Sequence, residues 1–588
     1  MVRGFDFPVE SARSYARRNQ RVKRAICSEM LRITGLSISL IVLLLGEGCS
    51  AKPRKGLENS PRKATLFLTT DLQGTTEPCG CTTDPLGDLA RTAKIVADAR
   101  NSGRAVVHLD GGSTLFSETS LSNERKPQES LKAKLVRDVF TNQLKTSAIG
   151  LGPFDLSLGP DAIQLPRHAS NLKEGQGITL AAPQIIDANG VRIGVFGAVS
   201  EDKSLWGSLQ VTSAREAATK SLQLLEAEKP DVIVALLHMT KKEAVALVKQ
   251  TQGISFAIVG RTIQETELRI RHEPTLVDKT WLIEPADRGQ VLAQLDISLP
   301  TTAKGDFADA IGESRAQIAI EDLEEDAVDQ RRELEEWKKD KNADKAFLAQ
   351  KVRELESLEA EIASLKKSPL RIPKDKNWFV FSQKRIAKSL SCDTDVVAMK
   401  KAYDKDAGAA NQKAATIKPA QPEQGTAAYL GVEECELCHA EATEFWQKTK
   451  HFEAWETLEA ANKQFNLECT GCHVTGWQKP GGSNLAHYEP FKDVQCEVCH
   501  GPGSLHVDAD GKDSPRTVVL SPPKDLCVEC HSAEHSDTFQ FEAYLRDVTG
   551  VGHGAKFREQ LGDGPTGGEL RAAGLKAAGS KMGAGCEK

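Results

Sequence analysis

Cys496-Glu497-Val498-Cys499-His500-Gly501-Pro502-Gly503-Ser504-Leu505-His506 is the most decisive stretch of this chain. Its first five residues form a Cys-x-x-Cys-His motif, the attachment signal for c-type haem. Two thiols add across the porphyrin vinyl groups, and the adjacent histidine becomes an axial iron ligand. The motif recurs at 435–439, 469–473 and 527–531. Zinc sites built from Cys-x-x-Cys pairs do not require a trailing histidine in every copy. The residues therefore predict four covalently attached haem c groups, held by Cys435, Cys438, His439, Cys469, Cys472, His473, Cys496, Cys499, His500, Cys527, Cys530 and His531. So many haems in so short a segment leave little room for an apolar core. Short helices, abundant loops and closely spaced haems are expected.

Outward from that segment, composition bounds the rest. The chain has 588 residues, 40% of them hydrophobic, and a net charge of −6. That length accommodates several cores. The negative balance, with no basic stretch interleaved with aromatics, excludes a nucleic-acid binder. Of 14 cysteines the motifs claim eight, leaving Cys27, Cys49, Cys79, Cys81, Cys392 and Cys586.

Attachment of haem c takes place outside the cytoplasm, so export is expected. Residues 33–45 are an apolar run of signal-peptide length, too short for a spanning helix. The run leads into Leu45-Gly46-Glu47-Gly48-Cys49, which resembles a bacterial lipobox with Cys49 as the lipidated residue. Glu47 departs from the small or apolar residue usual there, and an ordinary cleaved signal or an uncleaved anchor are the alternatives. Met30 is a candidate start. Ser50 favours outer-membrane retention on the periplasmic side of the envelope.

Strand patterns rich in β-branched residues are expected at 65–70, 105–109, 192–197, 231–238, 256–259, 281–284 and 291–297. Helical patterns fall between them at 86–101, 130–144, 214–228 and 241–251. This alternation predicts a layered α/β domain over 64–300. Within 306–368, Ile320, Leu323, Ala327, Leu334 and Trp337, then Leu348, Val352, Leu355, Ile362 and Leu365, step by three and four. Two helices joined by a polar turn read as an antiparallel coiled-coil hairpin, its charges a solvated face or a docking face. Residues 372–403 are expected to pack back on the α/β domain. Residues 404–428 read as a linker from their Ala, Gln, Pro and Lys content, 429–557 as a mainly helical, loop-rich haem domain, and 558–588 as a flexible tail.

The haem region resembles the tetrahaem cytochrome c-554 family. The likeness rests on Tyr429-Leu430-Gly431, Phe445-Trp446, Lys450-His451, the 496–506 stretch, and Phe539-Gln540-Phe541 with Tyr544 and His553. It implies periplasmic electron transfer between redox proteins, with mostly bis-histidine irons. By the family pattern His451, His506 and His553 are the distal ligands. His487 and His535 are the other free histidines of the region, at places equally suited to the surface. Three distal ligands for four irons leave one five-coordinate.

Residues 64–300 resemble the 5′-nucleotidase branch of the calcineurin-like metallophosphoesterases. The family carries Asp-x-His, Gly-Asp, Gly-Asn-His-Glu, a lone His and Gly-His-x-His at its strand ends. Here Asp71 survives, with Gln73 in place of the first His. Ser113 stands where the bridging Asp belongs, and Leu151-Gly152-Pro153-Phe154-Asp155 lacks the third motif. His238 matches the lone His, and Val259-Gly260-Arg261-Thr262 lacks both final histidines. Loss of the bridge removes the generator of a metal-bound hydroxide, so the resemblance implies the fold and argues against hydrolysis. Glu77-Pro78-Cys79-Gly80-Cys81 lies over the former metal site. Three roles for Cys79 and Cys81 stay open: a fixed disulfide, including one with Cys392 or Cys586; a redox-active pair; or soft-metal ligation. Asp71 and His238 would tune the thiols if they converge nearby.

The leading expectation is a lipid-anchored multihaem electron carrier whose α/β domain is a docking or thiol-redox module. A multihaem oxidoreductase acting on a small nitrogen or sulfur compound is the second. A metal-dependent 5′-nucleotidase fused to a cytochrome is the third.

Overall fold

The computed structural model describes residues 61–78, 82–261, 273–301, 305–310, 313–339, 345–367, 373, 375–511, 518–532, 535–579 and 586. The readings on Cys49, the signal segment, and Cys79 and Cys81 lie outside them. Among the described residues the strands are β1 (Arg62–Thr69), β2 (Val106–Asp110), β3 (Ala148–Ile149), β4 (Gln184–Ala188), β5 (Val191–Val199), β6 (Val232–His238), β7 (Phe256–Gly260), β8 (Thr275–Val277), β9 (Thr280–Ile283), β10 (Val291–Leu299), β11 (Phe307–Asp309) and β12 (Asn377–Arg385). They form two six-stranded sheets, ordered β11-β12-β10-β1-β2-β3 and β4-β5-β6-β7-β9-β8.

β5, β6, β7 and β9 pair in parallel. Such strands are covered on both faces, which is why Val232–His238 is an unbroken apolar run closed by a histidine. The inner faces meet through Leu66, Leu109, Ile193, Val234 and Phe256, each at most 1% exposed. Outer faces are covered by helices Leu89–Asn101 and Lys126–Asp138 on one side, and by Ala214–Ala227 and Lys241–Gln250 on the other. Local signals set the helix starts. Asp88 accepts from the Ala90 amide, and Thr240 and Glu243 form a reciprocal capping box. The second helix begins at Lys126 rather than 130, because Pro127 suits a first turn, and it runs into a π-helical turn at Val139–Gln143.

Two segments differ from expectation. Residues 404–414, read as linker, complete a helix over Thr394–Ala414. Its buried stripe is Val396, Lys400, Tyr403, Ala407 and Asn411. Polar residues at two of these places hide the periodicity, and each is satisfied by a partner elsewhere in the fold. Asn411 donates to the Gln128 side chain at 2.7 Å, and Lys400 donates to Asp88 at 2.7 Å. The segment before this helix supplies β12, which inserts between β10 and β11.

Residues 558–588, read as a flexible tail, contain helix Gly567–Gly579. Its glycines allow close approach rather than motion. A Cβ on Gly567 would stand 2.5 Å from the Tyr544 ring, and one on Gly574 would stand 3.0 Å from Thr83 and from Thr538. Cys586 then forms a disulfide with Cys392, 194 residues away, so neither pairs with Cys79 or Cys81.

Helices Glu313–Trp337 and Lys345–Lys367 pack on each other through Ile320, Leu323, Ala327, Leu334, Leu355 and Ile362. Arg331–Glu359 and Lys366–Glu324 pair across them in opposite sequence order. The region after 429 is built differently, from short helices at Val432–Trp446, Ala454–Ala460, Cys496–His500, Ser504–Asp508, Lys524–Cys527 and Phe541–Val548. Its buried apolar residues over 429–557 are few: Ala454, Trp455, Leu458, Val474, Leu485, Phe491 and Ala543. No helix among the described residues is long and apolar enough to cross a membrane.

Candidate functional site

The carboxyl ends of β1, β2 and β6 bring Asp71, Ser113 and His238 together, each at most 1% exposed. Asp71 accepts from the Thr70 hydroxyl and the Arg261 amide, both at 2.8 Å, and lies 3.8 Å from His238 Nε2. Ser113 Oγ is 3.1 Å from the same nitrogen, while His238 Nδ1 donates to the Gly111 carbonyl at 3.2 Å. Asp155 accepts from the amides of Gly152, Ser113, Thr114 and Leu115, and Arg167 balances it from 3.5 Å. The hydroxyl at position 113 thus fills its place by bonding to histidine. Packing is tight, since a Cβ on Gly152 would lie 2.0 Å from Ser113 Oγ. Burial pushes the neighbouring Asp110 up to about 6. The two surviving family residues do converge, inside a closed hydrogen-bonded cluster. Among the described residues no group of three or more His, Cys, Asp or Glu is placed to hold a metal ion.

The Cys-x-x-Cys-His motifs face a very different space. All twelve of their cysteines and histidines line one cavity of about 2860 Å³. Drug-sized ligand pockets run to about 300–1,000 Å³, so this one is scaled to several large cofactors. Proximal histidines are held by their far nitrogens. His473 Nδ1 donates to the Ala454 carbonyl and His500 Nδ1 donates to Val519 O at 2.6 Å, while His531 Nδ1 lies 3.1 Å from Ser536 Oγ. A carbonyl can only accept, so in the first two Nε2 is left with its lone pair for a metal.

Histidines from outside the motifs face these rings. His439 and His506 have centroids 6.3 Å apart and planes 22° apart, and His451 and His531 are likewise separated by 6.3 Å. A metal-bound imidazole nitrogen lies about 2 Å from its ion, so two rings flanking one ion have centres roughly 6 Å apart. His506 Nδ1 is buried without a hydrogen-bond partner among the described residues. Burial, then His531, pulls His451 down to about 4, which keeps it neutral and able to ligate. Burial, then His500, pulls His553 down. These residues fit haem, and His439, His473, His500 and His531 would hold it, with His506 and His451 facing two of the four and His553 within charge range of His500. No histidine faces His473 in this way among the described residues. His535 lines the cavity and His487 does not.

Sulfur neighbours give the order of the attachment sites. The free thiols of Cys435 and Cys496 lie close together, which pushes the Cys435 thiol up together with burial. Cys499 lies within charge range of Cys527, and the free thiols of Cys472 and Cys530 are likewise neighbours. The sequence of contacts is first, third, fourth, second.

Residues 434–501 match the family model for cytochrome c554 and c-prime. The C-terminal region is cytochrome c554-like. Cytochrome c-554 of Nitrosomonas europaea is 26% identical over 147 residues, 20% of this chain and 63% of the relative. The trifunctional nucleotide phosphoesterase protein YfkN of Bacillus subtilis is 26% identical over 159 residues, 24% of this chain and 10% of the relative. The chain thus spans less than two thirds of either relative. Among solved structures, a 5′-nucleotidase precursor from Thermus thermophilus aligns at TM-score 0.34 and 20% identity, over 40% of this chain and 51% of its own. Reduced cytochrome c554 from Nitrosomonas europaea aligns at TM-score 0.18 and 24% identity, over 21% of this chain and 85% of its own. The chain joins an α/β region similar to a nucleotide phosphoesterase to a cytochrome c554-like region.

The α/β unit also walls the cytochrome c554-like cavity. Gln73–Pro78, Arg125, Arg288 and Tyr403 all line it. Buried Lys132 donates to Glu468, beside the second motif, at 2.6 Å and lies 3.0 Å from Glu129. Burial opposes the charge of Glu468, but Lys132, Arg125 and Lys463 outweigh it and hold that carboxyl below its usual range. Gln128 donates to Asn466 at 2.9 Å, and Thr83 donates through its amide and hydroxyl to Asp537. Sequence reading missed this junction. The available signal was a set of polar residues, Gln128, Lys132 and Asn411, on the apolar faces of helices.

Proposed function

We propose that this chain is an extracytoplasmic multihaem c-type cytochrome carrying four haem c groups, whose role is electron transfer. The observation that carries this reading is one cavity lined by all twelve motif residues, with two histidine couples across it. Haem c, once attached, supplies a one-electron redox couple at fixed positions. The chain's residues do the rest. The cysteines hold the sites in an unbranched series, and backbone carbonyls orient two of the proximal histidines. The bound cofactors complete a core that the polypeptide leaves open.

The partners are other redox proteins of the periplasm or envelope. The membrane is reached through a lipid on Cys49. In this reading the α/β region is a docking or thiol-redox module using Cys79 and Cys81, and the helical hairpin is an antiparallel coiled coil with a solvated charged face. Phosphohydrolase activity is disfavoured by the Ser113 bond to His238, which occupies the corner where a bridging carboxylate belongs.

A second reading is favoured by one feature. Among the described residues no histidine faces His473, so a haem held there would leave a place suited to a small nitrogen or sulfur compound. Mass spectrometry of protein matured with a haem lyase tests the first reading: the chain mass plus four haems is expected, and three or fewer on an intact chain overturns it. Spin state separates the two readings. One high-spin centre, retained in His451, His506 and His553 variants, supports the open position, and wholly low-spin spectra exclude it.

A further inference from the structure

Tyr403 lies midway along helix Thr394–Ala414, at the end of the segment expected to pack back on the α/β domain. It is 8% exposed, and its ring belongs to the apolar cluster that holds Val396, Ala407 and Phe140. Its hydroxyl is buried and bonds to no group among the described residues. The same residue lines the cavity shared by the four motifs and lies within charge range of Glu468 and Cys469 at the second one. A buried hydroxyl without a partner is destabilising, and phenylalanine would fill the apolar cluster without that cost. A hydroxyl kept at the cavity wall in this setting calls for an acceptor inside the cavity. Burial, followed by the carboxylates of Glu468, Glu129 and Asp404, holds the phenol protonated. Its O–H is free to donate, and nearby Glu129 and Glu468 each pair with Lys132 rather than with this hydroxyl.

We propose that Tyr403 is a hydrogen-bond donor from the α/β unit to an oxygen acceptor at the second attachment site. Two sources supply that chemistry: a carboxylate of the haem held by 469–473, or an oxygen of a small ligand on the axial side opposite His473. The proposal rests on reading 469–473 as a haem site, and its second source rests also on the open position. It gives the α/β unit a direct hand in the chemistry of one haem.

The test uses the full haem-loaded chain with Tyr403→Phe, which keeps the ring in its cluster, and Tyr403→Leu as a second hydroxyl-free variant. Reduction potentials of the individual haems form one arm, and nitrite titration of the high-spin centre forms the other. If the acceptor is a haem carboxylate, losing the donor leaves more negative charge at the second haem and lowers its potential alone. The reduction equilibrium changes about three- to tenfold, equivalent to about 30–60 mV for one electron. If the acceptor is a ligand oxygen, nitrite affinity falls about three- to tenfold at unchanged potential.

Unchanged potential and unchanged nitrite affinity in both variants overturn the proposal and leave the open position intact. Absence of nitrite binding by the unaltered chain defeats the open position, yet the proposal stands if the second-haem potential moves in both variants. With neither nitrite binding nor a potential shift, both ideas fail.

Discussion

At the strand ends of the α/β unit, Asp71, Ser113 and His238 are almost fully buried, with Ser113 hydrogen-bonded to His238 and Asp71 3.8 Å from the same ring nitrogen. In the cytochrome c554-like region, His439, His473, His500 and His531 instead face a cavity of about 2860 Å³. Both places carry the residues that a family uses for metal chemistry. In the first, Ser113 and its neighbours close the position with their own hydrogen bonds and tight packing, as any core does. In the second, the chain keeps histidines and cysteines at ligand spacing and does without most of an apolar core. The difference teaches where each region draws its stability: one from its own side chains, the other from groups it binds.

The largest expected effect breaks the comparison at that point. Full-length chain made without haem attachment should lose hydrogen-exchange protection throughout 429–557 while β1, β6 and β10 stay protected. Equal protection in both regions would refute the idea that bound groups complete the second core.

Next comes the junction between the regions. Lys132→Met leaves buried Glu129 short of a cation, with Arg125 at 3.2 Å as its remaining partner. A loss on the order of 3 kcal/mol is expected in denaturant unfolding, discounted for the side of Glu468 open to the cavity. The sign with pH follows from Glu468, whose folded carboxyl lies below its ordinary range of about 4.3. Its contribution is present above that ordinary value and is lost as pH falls through the lower, folded one. The unaltered chain should weaken on acidification over that interval more steeply than Lys132→Met does.

A smaller change sharpens the picture of the closed cluster. Gly152→Ala places a methyl against Ser113 and His238, so overpacking should cost about 1–3 kcal/mol, read as a lower unfolding midpoint. Haem spectra should not change. The smallest effect belongs to the hairpin. Arg331→Ala removes a pair in which both side chains are about half exposed, and calorimetry should find at most about 1 kcal/mol.

Much of the α/β region was legible because its signals are local. Val232–His238 announces a buried parallel strand, and the Thr240 and Glu243 pair announces a helix start. The Cys-x-x-Cys-His spacing likewise carries its chemistry within five residues. Helix Thr394–Ala414 was not legible, because Lys400 and Asn411 interrupt its apolar stripe and are satisfied only by Asp88 and Gln128, far away in sequence. Helix Gly567–Gly579 was hidden for a related reason. Glycine and alanine suggest mobility in isolation, and only the close approach of Tyr544, Thr83 and Thr538 explains them.

By itself, the sequence determined four Cys-x-x-Cys-His motifs and an alternation of strand and helix patterns that makes an α/β layer, since both reside in residue type and short spacing. Only the tertiary structure decided which histidines face which, in what order the attachment sites follow one another, and that Tyr403 and Lys132 reach the second site from another region. Those are matters of distance between residues remote in the chain. They follow from how sheets, helices and the disulfide between Cys392 and Cys586 fold the chain back on itself, which no local pattern encodes.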